Sequence, residues 1–150
     1  MRRNVFLGGV ALILLSCLLF SCEKAPINNA VEQHWALQRF TVLATNEVVE
    51  CDRLYFGITC MVTVVSEKQG SHGYGSFVAR TEYRDDNRVL VLKDFQRRTS
   101  GYDPGAAATP EQLMPFGIID PKETVFKISK PSHKELVLES EYARLELRKF

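Results

Sequence analysis

Four cysteines, three histidines and a scatter of carboxylates are the groups with chemistry to offer in this 150-residue chain. Four cysteines in one folded domain would mean two disulfides or a metal site. The histidines argue against a metal. His34, His72 and His133 are far apart in sequence, and none has a second histidine or a cysteine at the close spacing by which one strand or helix turn presents two donors. Neither a metal nor a cofactor is expected. No His-Glu-x-x-His or Gly-x-Ser-x-Gly pattern occurs. The glycine cluster Gly70-Ser71-His72-Gly73-Tyr74-Gly75 lies between two predicted strands, without the following helix that a phosphate cradle requires. Asp85 and Asp86 are adjacent, but in a turn with Asn87, and solvated turn carboxylates rarely do catalysis. A catalytic role is therefore not expected, and the chain reads as a non-enzyme. With 19 Lys+Arg against 18 Asp+Glu the net charge is +1, which excludes bulk attraction to nucleic acid.

The cysteines separate once the N-terminus is read. Arg2 and Arg3 precede an apolar stretch from Val5 to Phe20, interrupted only by small residues and Cys17. It is shorter than the roughly 20 apolar residues of a spanning helix, starts with positive charge and ends in a small residue before a cysteine, as a secretory signal does. Leu19-Phe20-Ser21-Cys22 is similar to the lipobox of bacterial lipoproteins, in which the cysteine is lipidated and becomes the new N-terminus. A second frame would end at Cys17, after a shorter apolar region. The resemblance implies a signal peptide over 1–21 and a membrane anchor at Cys22. Because Glu23 is not the aspartate that commonly retains such proteins in the inner membrane, it also implies a cell-envelope lipoprotein of the outer membrane. From Cys22 onward 129 residues remain with a net charge of −1, since Arg2 and Arg3 are lost and no acid is. Residues 22–33 read as a polar tether. Cys17 leaves with the signal, and Cys51 and Cys60 remain as either a disulfide or buried free thiols.

From His34 the runs are short, alternating and rich in Val, Ile, Tyr, Phe and Thr, so strands are predicted. They cover His34–Val42, Leu54–Ser66, Tyr74–Arg84, Arg88–Gln96, Thr124–Ser129, Glu135–Ser140 and Tyr142–Lys149. Asp85-Asp86-Asn87 predicts a turn. Val89-Leu90-Val91-Leu92 is apolar on both parities, so its facing stays open. Between Arg97 and Pro121 the pattern is irregular, with Thr109-Pro110-Glu111 as a helix start and one helical turn expected through Met114, ended by Pro115.

Seven or eight short strands in meander order predict an all-β chain, an antiparallel up-and-down barrel with one short helical turn, occupying residues 34–150. The lipobox cysteine, short linker, early His34-Trp35-Ala36-Leu37 and closing segments Lys134–Leu138 and Arg144–Lys149 resemble the lipocalin-like lipoproteins of gut bacteria. That resemblance supports a lipocalin-like barrel and an envelope location. If the barrel is hollow, Trp35, Phe56, Phe77, Tyr83, Phe95 and Phe126, each on a predicted strand, would contact a small hydrophobic ligand in its interior. If it is filled, the alternative is an interaction or inhibitor module that meets an envelope partner through the 97–121 loop, with Arg97, Arg98 and Tyr102 as contacts.

Overall fold

A computed structural model describes residues 28–99 and 105–150; the expectations for the signal peptide, Cys17, Cys22 and Tyr102 lie outside them. Eight antiparallel strands follow one another around a closed barrel, the last returning to the first. They are β1 (His34–Val42), β2 (Glu47–Ile58), β3 (Val62–Glu67), β4 (Ser76–Arg84), β5 (Val89–Arg97), β6 (Glu123–Ile128), β7 (Glu135–Glu139) and β8 (Ala143–Lys149), with one short helix, α1 (Pro110–Leu113), between β5 and β6. No helix among the described residues is long and apolar enough to cross a membrane.

The expected single strand Leu54–Ser66 is corrected: it is the end of β2, a tight turn and β3. Thr59 makes the turn, its hydroxyl donating to the Val62 carbonyl at 2.7 Å and accepting from the Val62 amide at 3.1 Å. A hydroxyl that satisfies turn backbone in this way competes with strand continuation. The turn also changes parity. Phe56 and Ile58 point inward, but beyond it Thr63 and Val65 are the buried residues and Val62 is exposed. The first half of β2 is exposed or half-exposed throughout and carries no alternating apolar signal. It bulges at Arg53 (φ 59°), where the pairing with β1 shifts between Leu37 and Arg39.

The turn between β4 and β5 is as expected, with Asp85, Asp86 and Asn87 all at positive φ. Inside β5 a second bulge falls on Asp94 (φ 54°), so Leu90 and Leu92 face inward before it and Phe95 after it. Val91 is buried without joining the interior cluster. On the same outward parity an ion network spans three strands: Glu82 holds Lys93 at 2.7 Å and Arg84 at 2.8 Å, and Glu123 meets both. These hydrogen bonds pull the Glu82 carboxyl down to about 2.

Both barrel ends are stoppered. At the first, Val31 is fully buried and its carbonyl accepts the Trp35 indole N–H at 2.8 Å, while the Ile58 amide donates to the Gln33 carbonyl. Residues 28–33 therefore belong to the folded unit, a correction to the tether boundary at 33. At the other end the β5–β6 segment folds back into the mouth. Thr109 caps α1 in a reciprocal arrangement with Gln112. Pro115 does not end the helical segment; it sits inside a 3-10 turn, Met114–Phe116, which Gly117 terminates at φ 73°. A Cβ there would lie 3.1 Å from both Phe40 and Leu145, so this residue combines a left-handed backbone with close packing. Leu113, Phe116 and Ile118 are thereby driven into the core.

Candidate functional site

The six aromatic residues expected to line a ligand cavity are all brought to the interior, but they do not surround a void. Trp35, Phe56, Phe77, Phe95 and Phe126 are each no more than 1% exposed and belong to one contiguous cluster with the stoppers Val31, Leu113, Phe116 and Ile118. A ligand-sized cavity against these rings would leave accessible surface on them, and there is none. Tyr83 is half-buried at the edge of this cluster. Burial, followed by the charge of Glu32 and a hydrogen bond to it, raises its pKa.

Cys51 and Cys60 are free thiols. Cys51 lies on β2 and Cys60 in the turn beyond its far end. At about 3.3 Å per strand residue they are separated by on the order of 20 Å, whereas a disulfide needs Cα atoms within roughly 7 Å. The disulfide expectation is thus replaced by two isolated thiols. Burial, assisted by Glu50, pushes the Cys51 thiol up to about 11, which keeps it in the thiol form at neutral pH. Titration of the non-reduced, denatured chain with a thiol reagent is expected to find both; loss of the pair without reductant would contradict this geometry.

The glycine cluster is organised by a carboxylate rather than serving an anion. The Glu67 side chain is only 4% exposed and accepts from the His72 amide at 3.0 Å, the His72 ring at 3.0 Å and the Tyr74 amide at 2.8 Å. Desolvation raises its pKa, but the amides of His72, Tyr74 and Gly73 outweigh it and the net shift is downward. A carboxyl depressed in the folded state stabilises above its unfolded pKa of about 4.3 and loses that contribution as pH falls through the folded value. Acidification below that window is expected to expose the His72 and Tyr74 amides to hydrogen exchange, and Glu67→Gln to remove the pH dependence of that exposure. An unchanged acid profile in the variant would contradict this role. His34, packed over Gly57, and His133, exposed, are remote from His72. Among the described residues no group of three or more His, Cys, Asp or Glu is placed to hold a metal.

The space that the interior lacks lies on the flank. An open cleft of about 1110 Å³ runs along β6, with Val125, Lys127 and Ile119 on one side and Val42, Ala44 and Tyr142 on the other. Val125 and Ile119, 42% and 40% exposed, stand together at this cleft and give it an apolar wall. The feature that could have found them is apolarity on both parities, in Thr124-Val125-Phe126 and in Ile118-Ile119: one member of each pair fills the core and the other is left outside. Of the 97–121 loop, Ala108, Leu113, Phe116 and Ile118 are core, and Arg97 and Arg98 are exposed.

The sequence that folds into this closed eight-stranded meander is matched over residues 16–150 by the family model of the lipocalin-like domain. The chain belongs to the lipocalin-like domain family. Two solved structures are similar to this lipocalin-like barrel. A lipocalin-like protein from Bacteroides uniformis shares 16% identity at a TM-score of 0.58, over 81% of this chain and 100% of that one. An uncharacterized protein from Bacteroides eggerthii shares 19% at a TM-score of 0.57, over 79% and 98%. At such identities the likeness is one of fold. No relative matches among curated proteins.

Proposed function

We propose that this lipocalin-like protein is a non-enzymatic binding protein of the cell envelope, anchored to the outer membrane through Cys22, that takes a small hydrophobic molecule or an envelope partner in the cleft beside β6. The observation that carries the binding site is the contrast between a filled interior and an open flank with exposed Val125 and Ile119 at its side. Apolar surface concave on that scale, rimmed by charge, is the ordinary form of a binding site. The lipobox-like Leu19-Phe20-Ser21-Cys22 supports the anchor.

Two measurements test the two halves. Cys22→Ala is expected to move the protein from the membrane to the soluble fraction; continued membrane fractionation would remove the anchor. Nile red, a neutral apolar dye, is expected to bind the full chain in detergent-free buffer, and Val125→Asp or Ile119→Asp to weaken it by about tenfold or more, as expected when an apolar contact becomes a charge. Dye binding untouched by both substitutions would place the site elsewhere. A second reading keeps the interaction module but moves its contact surface to the partly exposed 97–121 loop, whose Met114 is 45% exposed.

A further inference from the structure

The backbone of β6 narrows what the cleft can hold, and the following inference rests on the cleft being the binding site. Strand β6 pairs fully with β5, from Val89↔Lys127 to Lys93↔Glu123. With β7 it shares only Lys127↔Glu139 and Ile128↔Leu138, because the chain leaves β7 at Glu139 and turns into β8 at Ala143. Residues 123–126 are thus an edge within an otherwise closed barrel. Hydrogen-bonding sides alternate along a strand. The Ile128 amide bonds the Arg88 carbonyl on the β5 side, and the Ser129 amide bonds the Val137 carbonyl on the β7 side, each at 3.0 Å. By that alternation both the amide and the carbonyl of Val125 point into the cleft, as does the Glu123 carbonyl. The Glu123 amide is already occupied by the Asp120 carboxylate at 3.3 Å.

An edge of this kind is a template for another extended backbone. An added strand meets both the amide and the carbonyl of Val125 at ladder spacing, which an apolar small molecule, having no donor or acceptor, does not. The charges around the edge select among such strands: Glu123 is held by Arg84 and Lys93 and Glu139 by Arg144, but Asp85, Asp120 and Glu141 line the cleft against Arg88 and Lys127, a net negative wall beside the apolar Val125 and Ile119. We infer that the β6 edge captures an extended peptide segment of a partner protein by strand addition, and that the segment alternates apolar with basic side chains. Its backbone pairs with Val125, its apolar residues cover Val125 and Ile119, and its basic residues face Glu141 and Asp120.

The probe is a capped hexapeptide alternating valine and lysine, titrated into the full chain and followed by amide hydrogen exchange. The Val125 amide is expected to slow by about tenfold or more at saturation, as a newly bonded edge amide does. The same peptide with glutamate for lysine is expected to bind at least about tenfold more weakly. Val125→Pro removes the donor at a position where the edge tolerates proline and is expected to abolish peptide binding, while Val125→Thr retains it to within a few-fold. Should Val125→Pro fail to fold, the exchange of Val125 in the unaltered chain decides by itself. Unchanged Val125 exchange at saturation, or equal binding of the acidic peptide, overturns the inference. Nile red bound in the cleft with no peptide protection overturns the peptide while leaving the cleft as the site; failure of both removes the cleft as well.

Discussion

Phe116→Ala is expected to destabilise the barrel by about 3–5 kcal/mol, the range for deleting a fully buried aromatic side chain whose site cannot collapse. Phe116 has no exposed surface, sits edge-on to Phe77 at 6.1 Å and to Tyr74 at 6.4 Å, and belongs to a 3-10 turn that continues the Thr109-capped helix α1 and ends at left-handed Gly117. Relaxation is limited because Gly117 is already in close contact with Phe40 and Leu145. The space left should therefore persist as an apolar cavity at the barrel mouth. Urea unfolding followed through Trp35, the single tryptophan, measures the loss, and benzene should raise the melting temperature of the variant but not of the parent. A loss below about 1 kcal/mol, or an equal benzene effect in the parent, would mean that the parent barrel is already hollow.

At the opposite end, Trp35→Ala is expected to cost a similar amount, about 3–5 kcal/mol, and Trp35→Phe only about 0.5–1.5 kcal/mol. The difference follows from what each removes. Alanine deletes a ring with no exposed surface that carries the stopper Val31. Phenylalanine keeps most of the ring and loses the 2.8 Å bond to the Val31 carbonyl, which still accepts the Gln33 amide at 2.8 Å. The Ile58 amide, donating to the Gln33 carbonyl at 3.0 Å, reports whether residues 28–33 stay seated. Its hydrogen exchange should accelerate in the alanine variant well beyond any global loss of stability. Equal costs for the two substitutions would assign the role of Trp35 to the hydrogen bond rather than to the packed ring.

Period-two alternation carried the barrel. Phe77, Ala79, Thr81 and Tyr83 alternate along β4, as do Leu136 with Leu138 in β7 and Leu145 with Leu147 in β8, because one wet face leaves a regular pattern. Alternation breaks where the backbone itself shifts parity. The Thr59 turn and the bulges at Arg53 and Asp94 each shift parity by local backbone geometry that residue type only weakly marks. Glu47 to Arg53 was missed because a strand that is wet on most of its length has little apolar signal.

The candidate site was legible in neither way. The six aromatics were recognised as inward-facing, yet whether they line a cavity or fill a core depends on what the 97–121 segment does, and only folding shows Leu113, Phe116 and Ile118 filling one mouth while Val31 fills the other. The two thiols were a plausible pair by spacing, and only the course of β2 between them forbids it. Sequence by itself determined the class of fold, the absence of recognisable catalytic motifs and the resemblance of Leu19–Cys22 to a lipidation signal, since these follow from local residue types and their period. The tertiary structure alone decided that the interior is full and that the open surface lies along β6, because packing and strand pairing depend on residues distant in the chain: β6 keeps a free edge only because β7 ends at Glu139, and the core closes only because both flanking segments fold back into it.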